Sequence, residues 1–101
     1  MQIQATHHGG VSTIHIKGEL DNHTATMMRE EIDSLLNQTK NQDIVYDFNG
    51  LSFMDSTGIG LLLGRYRKYQ NKKNFFIKNV NNTIDRILTM SGVYKVIKKI
   101  N

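Results

Sequence analysis

A small α/β fold is predicted: a mixed, mostly parallel β-sheet that begins with a hairpin and carries its helices mainly on one face. Three observations predict it. A Gly9-Gly10 pair joins two short β-rich runs near the N-terminus. After the pair, helical and β-rich patterns alternate three times, and the helical segments repeat apolar residues at i, i+3 and i+4. Such alternation implies right-handed crossovers between parallel strands, with helices packed on the sheet.

Residues 3–6 and 11–16 are the expected hairpin strands, turned at His7-His8-Gly9-Gly10, where the glycines supply the positive φ a tight turn needs. In the second strand Ser12, Ile14 and Ile16 share one face, and the isoleucines are expected inward. Gly18-Glu19-Leu20-Asp21 reads as a loop, with Asn22 or Thr24 as the cap of the next helix. That helix covers residues 25–38, with Met28, Ile32, Leu35 and Leu36 at helical spacing and Arg29, Glu30, Glu31 and Asp33 outside. Residues 43–48 are β-rich, and Asn49-Gly50 is expected to end the strand.

Phe53 and Met54 then lie in a loop that turns directly into a helix at Asp55-Ser56-Thr57, three residue types whose oxygens accept from the unpartnered N–H groups of a first turn. Ile59, Leu62, Leu63 and Tyr66 give this helix an apolar stripe, and it runs through Tyr69. Residues 75–80 are another strand. Asn82 or Thr83 opens a third helix, with Ile84, Ile87 and Leu88 inward and Gly92 as its stop, and residues 93–100 form the last strand.

The 101 residues suit one domain, 1–101, with a single core; 39% are apolar and 22% charged, ordinary values for a globular chain. No cysteine occurs, so disulfides and thiolate metal sites are excluded. The N-terminus lacks a signal-peptide pattern, and no apolar run approaches the ~20 residues of a membrane span, so a cytoplasmic location with no membrane is expected. The net charge of +4 raises nucleic acid as a partner, and Arg65, Lys68 and Lys72 would share one helix face. No recognition-helix or aromatic–basic strand motif accompanies them, so no nucleic acid is expected and the basic face is read as solvated or facing an acidic protein.

Ser56 stands where backbone donors and the helix dipole favour negative charge, so a phosphate there is compatible with the helix. A serine at a helix start is ordinarily a cap; here Asp55 is available for that role. Phe53 is expected to anchor the loop to the core, while Met54 is either core or a surface for a partner. Gly58, Gly60 and Gly64 match neither a dinucleotide nor a P-loop pattern, and Gly60 and Gly64 are expected to let another backbone approach. Ser56 lacks a Gly-x-Ser-x-Gly elbow, His7, His8, His15 and His23 lack metal-ligand spacing, and no carboxylate pair is arranged for acid–base work. No enzyme, metal or cofactor is expected.

The run Leu51-Ser52-Phe53-Met54-Asp55-Ser56-Thr57-Gly58-Ile59-Gly60, continuing to Gly64-Arg65-Tyr66, closely resembles that of the anti-sigma factor antagonists of the STAS domain family. Gly18-Glu19-Leu20-Asp21-Asn22-His23-Thr24-Ala25 resembles the family's segment before the first helix, and Arg86-Ile87-Leu88-Thr89-Met90-Ser91-Gly92-Val93-Tyr94-Lys95 its third helix and following turn. The resemblance spans roughly residues 11–98. Phe-Met before the Asp-Ser-Thr-Gly core and Gly-Arg-Tyr after it point to the sporulation branch, the antagonists of the anti-sigma-F factor.

The resemblance implies that Ser56 is the phosphorylated residue. It implies that the unmodified protein binds an anti-sigma factor that is also a serine kinase, releasing a sigma factor, and that a PP2C-type serine phosphatase restores this form. The kinase would supply the bound nucleotide. Asp21, Asn22, His23, Met54, Asp55, Ser56, Thr57, Gly58, Gly60 and Gly64 are the expected partner-binding residues, and the free protein is expected to be a monomer. Within the family the alternatives are an antagonist of a general-stress (sigma-B type) pathway and a STAS scaffold or ligand-sensing module that is never phosphorylated. Two departures stand out: relatives carry a helix after the last strand, beyond the position of Asn101, and the basic charge is unusual for the sporulation branch.

Overall fold

The computed structural model describes residues 2–100. β1 (Gln2–His8) and β2 (Val11–Leu20) form an antiparallel hairpin turned by Gly9 and Gly10, with φ angles of 59° and 82°. Two consecutive left-handed residues give the tight turn whose twist matches that of the strands. The chain continues through α1 (Ala25–Gln38), β3 (Asp43–Met54), α2 (Ser56–Tyr69), β4 (Asn74–Lys78) and α3 (Asn82–Ser91). A 3-10 turn (Val93–Lys95) then leads into β5 (Lys98–Lys99).

The sheet order is β1-β2-β3-β4-β5, and every pair after the hairpin is parallel. Right-handed crossovers that step the same way each time put all three helices on one face. Burial agrees. Ile14 and Ile16 of β2, Ile44, Tyr46 and Phe48 of β3, and Phe75 and Ile77 of β4 join Met28, Ile32 and Leu36 of α1, Leu61 and Leu62 of α2, and Ile84 and Leu88 of α3 in one core. On the opposite face His15 pairs with Asp47, which also accepts from the Asn79 side chain and the Asn49 N–H.

Several elements differ from the sequence reading. β2 continues through Gly18 to Leu20, and β3 runs past Asn49-Gly50 to Met54, so neither stretch is a loop. Gly18 adopts φ 104°, and the β2–β3 register shifts on both sides of Lys17 and Gly18, which lets the strands stay paired through two irregularities. A Cβ on Gly50 would fall 2.5 Å from Lys17 Cγ, so Gly50 serves close strand approach rather than a turn.

α3 is capped by Asn81, whose Oδ1 accepts from the Ile84 N–H at 2.9 Å, in place of Asn82 or Thr83. Gly92 ends that helix in the left-handed conformation, as expected. The residues after it form the 3-10 turn, leaving only Lys98 and Lys99 as strand.

The buried face of α2 is centred on Gly58, Leu61, Leu62, Arg65 and Tyr69, with Ile59, Leu63 and Tyr66 flanking it. Arg65 therefore does not belong to a solvated basic face. Its Nε lies 2.8 Å from Asp33 Oδ1 of α1, a charge contact without the alignment of a hydrogen bond, and Lys68 Nζ lies 3.3 Å from the other carboxylate oxygen. The pair ties α1 to α2 above the buried Tyr46, whose hydroxyl burial pushes toward the neutral form. Lys73 Nζ donates to the carbonyls of Thr39 and Asn41, just beyond the C-terminus of α1.

Candidate functional site

The site is built where β3 ends and α2 begins. Asp55 is the N-cap: its Oδ1 accepts from the Thr57 N–H at 2.9 Å and from the Gly58 N–H at 3.3 Å. Its own N–H donates to the Leu20 carbonyl, fastening the end of β2 to the start of α2. With the cap supplied by Asp55, Ser56 occupies the first helical position with its side chain exposed. The hydroxyl thus lies beside the positive end of a 14-residue helix without being consumed in holding it.

Two grooves border this helix start. Between α2 and α3 lies one of about 480 Å³, lined by Met54, Asp55, Ser56, Ile59, Ile87, Met90 and Ser91. Met90 is 80% exposed, so the groove has an apolar rim open to solvent. Between α1 and α2 lies one of about 410 Å³, to which Asn22, Ala25, Arg29, Thr57, Gly60 and Gly64 contribute.

The structure brings the expected residues together unevenly. Ser56 and Asp55 border the first groove, while Asn22, Thr57, Gly60 and Gly64 border the second. Asp21 turns inward on its own loop: its Oδ1 accepts from the His23 and Thr24 N–H groups, while Thr24 Oγ1 donates to the Glu19 carbonyl and makes no cap bond. His23 is exposed beside it.

Met54 takes the first of its two expected places, in the core at 2% exposure, and also borders the first groove, whereas Phe53, expected to anchor a loop to the core, is 46% exposed on β3. Gly58 is likewise a packing residue, since a Cβ there would lie 2.7 Å from Met54 Cγ and 2.9 Å from the Leu20 carbonyl oxygen. At Gly60 and Gly64 a Cβ would meet nothing within 4 Å, so no backbone among the described residues makes the close approach their spacing suggested. Sequence reasoning missed Ile87 and Met90 as groove residues. Met90 is exposed and Ile87, expected inward, is half-buried on a helix that buries only Ile84 and Leu88, and the groove they line forms only once α3 is placed beside α2.

Among the described residues no helix is long and apolar enough to cross a membrane, and no group of three or more His, Cys, Asp or Glu side chains is placed to hold a metal ion.

The profile of the STAS domain matches residues 2–101. The chain is 38% identical over 97 residues to the anti-sigma F factor antagonist of Paenibacillus polymyxa, covering 95% of this chain and 83% of the relative. It is 31% identical over 94 residues to the anti-sigma-B factor antagonist of Staphylococcus aureus, covering 92% and 86%. Among solved structures, the anti-sigma factor antagonist SpoIIAA in its unphosphorylated form superposes with a TM-score of 0.72 at 26% identity, covering 99% of this chain and 88% of that one.

Proposed function

The chain belongs to the STAS domain family, and we propose that it is an anti-sigma factor antagonist switched by phosphorylation of Ser56. In the unmodified state it binds an anti-sigma factor that is also a serine kinase and frees the sigma factor held there. The kinase then transfers a phosphoryl group to the Ser56 hydroxyl and the complex parts; a PP2C-type serine phosphatase resets the cycle. The whole chain acts as a single STAS domain. The observation that carries this reading is the exposure of Ser56 at the first position of α2 while Asp55 holds the cap.

The energetics are consistent with a switch that leaves the fold alone. A phosphoserine carries about −1.5 to −2 charges at neutral pH. At a helix N-terminus such charge is favourable by about 0.3–1 kcal/mol. Against a partner packed on Ile59, Ile87 and Met90 the same group is desolvated, and leaving a buried charge unpaired costs about 2–5 kcal/mol. Reversing occupancy from 99:1 to 1:99 needs about 5.5 kcal/mol. Ser56 therefore has to lie near the centre of the contact, not at its edge.

The sigma-F pathway of sporulation is favoured over the sigma-B pathway by the higher identity to the Paenibacillus polymyxa relative. Incubation with purified anti-sigma-F-type and anti-sigma-B-type kinases in the presence of ATP separates the two. A gain of about 80 Da on the peptide containing Ser56 is expected with the first kinase. Modification by the second kinase alone would move the chain to the stress pathway, and no modification by either would remove the switch.

A further inference from the structure

We infer that the groove between α1 and α2 seats an acidic segment of the partner protein, with Arg29 as the cation that receives its carboxylate. The inference rests on the reading that this chain binds an anti-sigma factor; it adds a second contact, on the α1 side of α2, and the chemistry that side selects.

The groove is unoccupied by the fold itself. Gly60 and Gly64 lie along its α2 side, and a Cβ on either would meet nothing within 4 Å. Glycine inside a helix lowers stability relative to alanine, and at these two positions no internal contact requires it. Two glycines one turn apart leave room for the backbone of a second protein to approach α2 directly.

The charge of the groove is one-sided. No carboxylate is among its lining residues, and among the described residues Arg29 has no carboxylate within ion-pair distance. The aspartates of the flanking elements are engaged elsewhere, Asp21 by the His23 and Thr24 N–H groups, Asp55 by those of Thr57 and Gly58, and Asp33 by Arg65 and Lys68, and Glu30 and Glu31 of α1 do not line the groove. The first turns of both helices also border the groove, at Ala25 and Thr26 for α1 and at Thr57 for α2. Each helix start already has a carboxylate of its own, Asp21 before α1 and Asp55 on α2, and Arg65, the other cation of the lining, is paired with Asp33, so Arg29 is the unpaired charge that an entering carboxylate meets. The α2–α3 groove on the other side of Ser56 offers apolar side chains and no cation, which leaves the acidic contact to the α1 side.

The test is calorimetric titration of the intact chain with the purified anti-sigma factor encoded in the same genome, loaded with ADP so that binding proceeds without phosphoryl transfer. Arg29→Glu and Gly64→Leu are each expected to weaken binding by about tenfold or more, and Arg29→Lys by much less. Arg29→Gln should make the affinity less sensitive to added salt. Thermal melting of Gly64→Leu should not fall below that of the wild type, because no neighbour is displaced. If Arg29→Glu and Gly64→Leu both bind within about twofold of wild type, the groove is not the seat and this inference is overturned while the antagonist function stands. If the wild type itself does not bind, the proposed function falls, and this inference with it.

Discussion

Asp55 Oδ1 lies 2.9 Å from the backbone nitrogen of Thr57, so the residue between them in sequence, Ser56, is carried at the head of α2 without capping it. Replacing Asp55 by Ala removes the side-chain partner of two N–H groups and should cost about 0.5–2 kcal/mol. Asp55→Asn retains an acceptor and should recover most of the loss. Chemical denaturation of the two variants measures both values.

Gly58 and Gly60 are two residues apart on one helix and should respond oppositely to a methyl group. At Gly58 the added Cβ runs into Met54 and the Leu20 carbonyl, so Gly58→Ala should destabilise by about 1–3 kcal/mol through overpacking. At Gly60 the space is open, and Gly60→Ala should leave stability unchanged or raise it by up to about 1 kcal/mol. Melting temperatures of the pair decide the matter.

The Asp33–Arg65 contact joins α1 to α2 with both side chains largely buried. Asp33→Ala leaves Arg65 with no other carboxylate partner among the described residues and should cost about 3 kcal/mol. The double substitution Asp33→Leu, Arg65→Met should regain most of this, because it removes both charges together. A double-mutant cycle by urea denaturation gives the coupling.

Acid should destabilise the fold partly through Asp47. Burial alone would raise the pKa of this carboxyl, but hydrogen bonds from Asn79, the Asn49 backbone and His15 together hold it below its usual value. A group depressed in the folded state contributes stability above its unfolded pKa, and that contribution disappears as pH falls through the folded one. Melting temperature should therefore drop below pH ~4, the ordinary carboxylate range. Asp47→Asn should lower stability at neutral pH and flatten the profile in that window.

Much of this protein is legible in its residues. The limits of α1 and α2, the Gly-Gly hairpin, the Asp55 cap and the Gly92 stop all depend on local chemistry, and local chemistry decided them. What was not legible depends on which strand or helix lies alongside. Asn49-Gly50 reads as a break, yet β3 continues because Lys17 crosses over the missing Cβ. Phe53 loses the core place expected of it, and Met54 takes the core one of its two alternatives, because the end of β3 turns Met54 down onto Gly58 and leaves Phe53 outside. Arg65 passes for a surface cation until Asp33 of α1 is set against it. At the site itself the exposure of Ser56 follows from the cap, whereas the Ile87 and Met90 rim needed the third helix in place.

The most direct measurement is the affinity of the intact chain for its anti-sigma kinase before and after stoichiometric phosphorylation of Ser56. Backbone amide spectra of the two free forms, recorded alongside, report on the fold. Tight binding by the unmodified chain and by Ser56→Ala, a loss of about a hundredfold or more on phosphorylation, and near-superimposable spectra are predicted. Equal affinities of the two forms would contradict the account, as would a spectrum rearranged throughout.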